Sequence, residues 1–132
     1  MAAIERLDTA ANNRYSEAAI HGGVVYLAGQ VPSDAAVAEA GAAGDRAAAF
    51  GCQMRSVLAQ IDALLARARS SKARILSATV YLVDIKDKDA MNAAWESWMP
   101  ADCAPARATV GGVALADARW LVEVVVVAAQ GA

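Results

Sequence analysis

The sequence predicts an α+β fold in which two helices cover one face of a β-sheet. Three observations support this class: a double-glycine hairpin signal near the N-terminus, two stretches with helical periodicity, and a β-branched run near the C-terminus. Helical and strand patterns alternate along the chain without strict βαβ repetition, which favours an α+β layer. The predicted order is β-β-α-β-α-β-β.

Length and composition suit a single folded domain that spans residues 1–132. The chain has 132 residues, of which 58% are hydrophobic and 20% charged, enough for a core of its own. The net charge of −2 and the absence of a Lys/Arg-rich run weigh against nucleic acid as the main partner. Charged residues at positions 5, 6 and 8 exclude a secretory signal, and no apolar run approaches the roughly 20 residues that span a bilayer. We therefore expect a cytoplasmic protein with no membrane partner.

The first elements are two short strands within "SEAAIHGGVVYLAG", around Gly22 and Gly23. A Gly-Gly pair accepts the positive φ angles that two-residue hairpin turns require. His21 lies beside this turn, and we interpret it as a hairpin residue because no nucleophile or metal-ligand pattern surrounds it. The next stretch, residues 30–45, carries proline, serine, aspartate and glycine, and predicts a long loop.

A long amphipathic helix is predicted from about Asp45, because apolar residues then recur at steps of three and four. They are Phe50, Met54, Val57, Leu58, Ile61, Leu64 and Leu65. "ILSATVYLVDI" follows as a β-branched strand. "KDKDAMNAAWESWMP" predicts a second, shorter helix that ends at Pro100, with Asp87 or Asp89 as its N-cap.

The last two predicted strands lie in "APARATVGGVAL" and "WLVEVVVVAA". Side chains of a strand alternate between two faces, and in the final strand both faces are apolar, so both should be covered. Two helices cover only one face, and a second copy of the chain is the simplest cover for the other. We therefore expect a homo-oligomer with Glu123 at or near the interface. A barrel closed within one chain is the competing explanation.

Two charged residues near the C-terminus are the candidates for chemistry, because the chain has no GxGxxG, GxxxxGK[ST], HExxH or GxSxG motif. Arg107 at the start of a strand is either a solvated charge or a bidentate clamp for a carboxylate. Glu123 is in the next strand of the sequence, and antiparallel pairing of the two strands could bring it near Arg107. The pair is then either a buried salt bridge or part of a site.

Four segments together resemble the RidA family (reactive intermediate deaminase A, also called YjgF): "RYSEAAIHGGVVYLAGQVP", "ILSATVYLVDIKDKDAMNAAWESW", "APARATV" and "LVEVVVVAA". The resemblance implies the chorismate-mutase-like fold and a homotrimer with pockets at the subunit clefts. It also implies hydrolysis of reactive enamines and imines, such as 2-aminoacrylate and 2-iminopropionate, to 2-keto acids and ammonia. The family uses no metal or organic cofactor.

The resemblance also assigns roles to individual residues. Arg107 would hold the substrate carboxylate, and Glu123 would orient or activate the attacking water. Tyr15, Gly29 and Asn92 match residues that line the family's pocket. Two further pocket positions depart from the family pattern: Ala28 replaces a serine, and Thr109 stands where cysteine or serine is usual.

Arg14 is a third departure, because the family usually has proline before the tyrosine. These differences affect the expected substrate range more than the fold. Two other functions stay open at this point. One is a non-catalytic binder of small carboxylic or 2-keto acids, and the other is an endoribonuclease, which the acidic balance disfavours.

Overall fold

A computed structural model describes residues 3–131, which form six strands and three α-helices. The α+β class with a mixed sheet is confirmed. The elements are β1 (Glu5–Thr9), β2 (Ser16–His21), β3 (Val24–Leu27), α1 (Asp34–Gly41), α2 (Arg46–Arg67), β4 (Ile75–Leu82), α3 (Lys88–Trp98), β5 (Ala106–Gly111) and β6 (Val122–Ala129).

Two elements were not predicted, the strand β1 and the helix α1. β1 is an edge strand whose residues are mostly exposed, with only Leu7 half-buried, so it has no alternating apolar pattern. The helix α1 lies inside the predicted loop. Its start looks like a turn in the sequence because Ser33 is its N-cap, accepting a hydrogen bond from the Ala36 amide at 3.2 Å. Serine is favoured at N-caps and in turns for the same reason, because its hydroxyl forms hydrogen bonds with nearby backbone groups.

The strand order in the sheet is β1-β2-β3-β6-β4-β5. β4 and β5 are parallel, and every other neighbouring pair is antiparallel. β5 and β6 do not pair, although the sequence left that possibility open, because β4 lies between them. A parallel pair needs a long crossover, and α3 supplies it. The most apolar strand, β6, lies inside the sheet.

The hairpin and the long helix agree with their sequence patterns. Gly22 and Gly23 join β2 to β3 with φ angles of 58° and 78°, as a type I′ turn requires. His21 beside the turn is exposed. The seven apolar residues predicted on α2 are all buried, and Asp45 caps this helix by accepting a hydrogen bond from the Ala48 amide at 2.8 Å.

The start of α3 differs in one detail from the prediction. Asp87 occupies the N-cap position, but its carboxylate makes no capping hydrogen bond. It instead accepts hydrogen bonds from Arg46, from Nε at 3.1 Å and from Nη2 at 2.7 Å. Asp87 is buried, so this ion pair joins the beginnings of α2 and α3.

The two faces of the sheet have different surroundings. On the helix-covered face, alternate residues of β6 from Val122 to Ala128 are buried against the residues of α2. The opposite face, which we call the open face, carries Glu123, Val125 and Val127, each half-buried. Tyr26 on the same face is 52% exposed. No helix within residues 3–131 combines the length and apolarity that a membrane span needs.

Candidate functional site

Arg107 is held by three side chains of α3. It lies on β5 opposite Ala78 of β4, and therefore points to the helix-covered face. Its Nη2 donates to Asn92 Oδ1 at 2.7 Å, and its Nη1 lies 3.5 Å from Met91 Sδ. The guanidinium carbon is 5.1 Å from the ring centroid of Trp95, a cation–π contact. These contacts fix the orientation of the guanidinium before any ligand binds.

Helical spacing explains why α3 presents this set. Trp95 is four residues after Met91 and three after Asn92, so it neighbours both on the helix surface. Met91 and Trp95 are buried, which anchors them in the core. Trp95 also packs edge-on against Trp98, with ring centroids 5.4 Å apart. The side chains that contact Arg107 from α3 are thus anchored in the core.

Arg107 has unused donors. A guanidinium carries five N–H groups, and two contacts to α3 engage its two terminal nitrogens. Within residues 3–131 it forms no ion pair with an acidic residue, and it is exposed. The remaining N–H groups can bind a carboxylate with two parallel hydrogen bonds.

Thr109 follows Arg107 on the same face of β5. It lies opposite Val80 of β4, and it is half-buried. Its hydroxyl makes no hydrogen bond to another described residue. We name the cluster of Met91, Asn92, Trp95, Arg107 and Thr109 the arginine half-site.

Glu123 lies on the open face, opposite Tyr81 of β4. Its carboxylate passes directly over Gly29, because a Cβ on that glycine would be 2.9 Å from the Glu123 Cδ. Gln30 holds this segment in place through two backbone hydrogen bonds with Val124, of 2.8 and 3.0 Å. Glycine is thus needed at position 29 for close approach rather than for an unusual φ angle.

Tyr15 and Ala28 line one groove beside β2 and β3. Tyr15 is 54% exposed and follows a turn in which Asn13 has a φ of 61°. Asparagine tolerates this left-handed conformation better than most residues. We name the cluster of Tyr15, Ala28, Gly29 and Glu123 the glutamate half-site.

The two half-sites lie on opposite faces of the sheet. Arg107, Ala78 and Val126 are aligned across β5, β4 and β6 and share the helix-covered face. Glu123 is three residues from Val126, so strand alternation turns it to the other face. Within one chain, Arg107 and Glu123 therefore do not meet, and the buried salt bridge that the sequence left open as one alternative does not form.

Two members of the arginine half-site were not predicted as such. Met91 and Trp95 are apolar residues of the predicted second helix, and both are buried. No feature of the sequence separates a core tryptophan from one whose ring also supports a guanidinium. In the part of the chain that the structure describes, no His, Cys, Asp and Glu side chains are grouped to hold a metal ion.

Comparisons with known proteins agree with this architecture. The sequence profile of the family described as Endoribonuclease L-PSP matches residues 5–130. The chain belongs to the YjgF/RidA family. This confirms the resemblance drawn from the sequence motifs.

Individual relatives of this RidA-family chain match it over nearly its whole length. A RutC family protein of Haemophilus ducreyi is 41% identical over 126 residues, which is 96% of each chain. The RutC family protein YoaB of Escherichia coli is 40% identical over 126 residues, 96% of this chain and 97% of the other. A crystal structure of a YjgF family member from Neisseria meningitidis has a TM-score of 0.82 and 37% identity, covering 98% of this chain and 97% of that one. The fold is the chorismate-mutase-like fold that the resemblance implied.

Proposed function

We propose that this RidA-family protein hydrolyses 2-imino acids and their enamine tautomers to 2-keto acids and ammonia. The observation that carries the proposal is the state of Arg107. Its guanidinium is oriented by α3 but has no acidic partner within residues 3–131. A fixed, uncompensated guanidinium is suited to bind the carboxylate that every substrate of this class carries.

Hydrolysis of an imine requires few catalytic groups. Water adds to the electrophilic carbon of the C=N bond, one proton moves to nitrogen, and the resulting carbinolamine loses ammonia to leave C=O. The sum is one imino acid and one water giving one keto acid and one ammonia. Glu123 would accept a proton from the attacking water and return it to the departing nitrogen, as a general base and then a general acid.

Both half-sites would come together only between two copies of the chain. Arg107 lies on β5, which is an edge strand of the sheet, so a neighbouring subunit can approach it. The open face that carries Glu123 has half-buried valines, and within residues 3–131 no element covers it. A homotrimer with the open faces inward would cover these valines and place one subunit's Glu123 beside its neighbour's Arg107.

The other predicted residues would then line the pocket. Asn92 would position Arg107, and Thr109 would offer a hydroxyl to the substrate. Tyr15 would form an aromatic wall on the side of Glu123, with the small residues Ala28 and Gly29 leaving room for the substrate. Ala28 provides no hydroxyl, so one hydrogen bond available in relatives with serine is missing here.

The test measures ammonia release from 2-iminopropionate that an amino-acid oxidase generates in the assay. We expect Arg107→Ala to reduce kcat/KM by about 100-fold or more, because two charge-assisted hydrogen bonds are lost. The kcat/KM of Arg107→Lys should lie between those of the wild type and Arg107→Ala, since a lysine ammonium lacks the planar guanidinium fork. Arg55→Ala, which removes an exposed arginine of α2, serves as the control and should match the wild type.

A rate equal to the uncatalysed one in both wild type and Arg107→Ala would reject the deaminase. The missing hydroxyl at Ala28 favours one second candidate, a binder of 2-keto acids without turnover. Calorimetry with 2-ketobutyrate separates the two. Binding that Arg107→Ala abolishes, in a protein that does not accelerate imine decay, would support the binder.

A further inference from the structure

The strand β1 carries two acidic residues that pair with arginines and one arginine that has no ion-pair partner within residues 3–131. Glu5 accepts a hydrogen bond from Arg69 at 2.8 Å, and Asp8 accepts two from Arg67, at 2.7 and 3.0 Å. These hydrogen bonds lower the pKa of both carboxyl groups. The acidic residues of β1 are thus neutralised by arginines at the end of α2.

Arg6 is left without such a partner. In a regular strand Arg6 and Asp8 would share a face, but Asp8 has a φ of 50°, a conformation uncommon outside glycine. Its carboxylate reaches Arg67, whereas Arg6 is aligned with Ala19 on the open face.

Arg6 and Arg14 line the same groove as Tyr15 and Ala28, with Tyr26 as a further wall. Neither guanidinium donates a hydrogen bond or forms an ion pair within residues 3–131. No acidic side chain lines this groove.

The nearest acidic residue along β2 is Glu17, which lies within electrostatic reach of Arg67 and is not among the residues that line the groove. Within the described part of the chain, two positive charges therefore lie without an acidic partner in this groove, which Tyr15 and Ala28 of the glutamate half-site also line.

We propose that this groove, with Arg6 and Arg14, binds a second anionic group of the substrate. The preferred substrates would then be 2-imino dicarboxylates, the imines of acidic amino acids. This assignment rests on the proposed function, in which Arg107 of a neighbouring subunit holds the first carboxylate. A four- or five-carbon dicarboxylate would bind one carboxylate at each end of the pocket, while a neutral side chain would leave both groove arginines without an anion.

The first experiment compares 2-iminoglutarate with 2-iminopropionate, both generated in the assay by amino-acid oxidases. We expect the wild type to favour 2-iminoglutarate by about tenfold or more in kcat/KM, because charge-assisted hydrogen bonds are the strong ones. In the double variant Arg6→Gln/Arg14→Gln this ratio should fall towards one, mainly through a higher KM for 2-iminoglutarate. Arg55→Gln removes the same charge from an exposed site on α2 and should keep the wild-type ratio.

The second experiment measures binding of 2-ketoglutarate and 2-ketobutyrate by calorimetry, and so separates this assignment from the proposed function. Tighter binding of 2-ketoglutarate that the double variant loses, in a protein that hydrolyses neither imine, would support the groove while rejecting the deaminase. Hydrolysis of 2-iminopropionate with no preference, or a ratio unchanged in the double variant, would overturn the groove and leave the deaminase standing.

Two further outcomes would also overturn the assignment. One is the failure of both keto acids to bind. The other is tighter binding of a labelled oligouridylate than of 2-ketoglutarate, lost in the double variant, which would assign the groove to RNA.

Circular dichroism checks whether the double variant folds, and because Arg6 and Arg14 are both exposed we expect native spectra. If the double variant does not fold, Arg14→Gln alone gives the same ratio test.

Discussion

Gly29 and the carboxylate of Glu123 occupy a space that has no room for an additional side chain. The nearest atoms to a Cβ at position 29 belong to the far end of Glu123. A flexible side chain can move aside, so a substitution here would displace the carboxylate before it disturbed the sheet.

We therefore expect Gly29→Ala to separate activity from stability. The free energy of unfolding should change by less than about 1 kcal/mol, as for most substitutions that create no cavity or buried unpaired group. The value of kcat for imine hydrolysis should fall by about tenfold or more, because the proposed general base would move away from the attacking water. Kinetics and urea denaturation of the same preparation measure the two effects.

Gly41→Ala is the matched control, since a Cβ there meets no atom within 4 Å. It lies at the end of α1 and should leave kcat as in the wild type while raising helix propensity. A Gly29→Ala enzyme with full kcat would contradict the role proposed for Glu123.

At the residue scale, the sequence identified chemical types but not their arrangement. The strand arginine and the strand glutamate stood out because charges are rare in such runs. The contacts of Arg107 with Asn92 and Trp95 depend on how α3 lies beside β5, which no local pattern encodes.

At the scale of elements, Gln53 joins α2 to the segment that leads into β6. Its side chain is 2% exposed. Its Nε2 donates to the carbonyl of Arg119 at 3.0 Å, and its Oε1 accepts from the amide of Leu121 at 2.7 Å. One side chain thus satisfies two backbone groups of a loop that has no regular structure of its own.

Gln53→Leu should reduce the free energy of unfolding by about 1–3 kcal/mol. The reason is that a partly buried backbone donor and acceptor lose their partner, a loss that costs more than the hydrogen bond itself contributed. Urea denaturation at constant protein concentration measures the change. Ala63→Leu places the same side chain on the exposed side of α2 and should stay within about 0.5 kcal/mol of the wild type. Equal midpoints for Gln53→Leu and wild type would mean that water satisfies the two groups.

Elements differed in how readily the sequence predicted them. The helix α2 and the β2–β3 hairpin have strong local signals, and both were found where predicted. The helix α1 is short, and its buried face consists of Ala36, Val37 and Ala40, which gives a weak apolar contrast. The edge strand β1 is held by backbone pairing and ion pairs, so its sequence looks polar.

At the scale of the whole molecule, the open face has no covering element within residues 3–131. Val125 and Val127 lie there beside the exposed Tyr26. Apolar surface of this kind is typical of protein–protein contact, and it supports the proposed homotrimer.

Val125→Glu should convert that assembly to single chains, because a carboxylate on the covered face would be desolvated without a partner. Light scattering and sedimentation should show a mass of one chain instead of three. Activity should fall with it, since each proposed pocket would need two subunits. Ala38→Glu adds the same charge on the exposed side of α1 and should keep the wild-type mass. A Val125→Glu protein that stays trimeric would show that another surface makes the contact.

The sequence by itself determined the α+β class, the long helix and the β2–β3 hairpin. These depend on side-chain periodicity and turn chemistry, which act over a few neighbouring residues. Only the tertiary structure decided that β4 lies between β5 and β6, and hence that Arg107 and Glu123 face opposite ways. Strand order depends on pairing between distant segments, and several orders bury the same apolar residues, so the pattern alone does not choose among them.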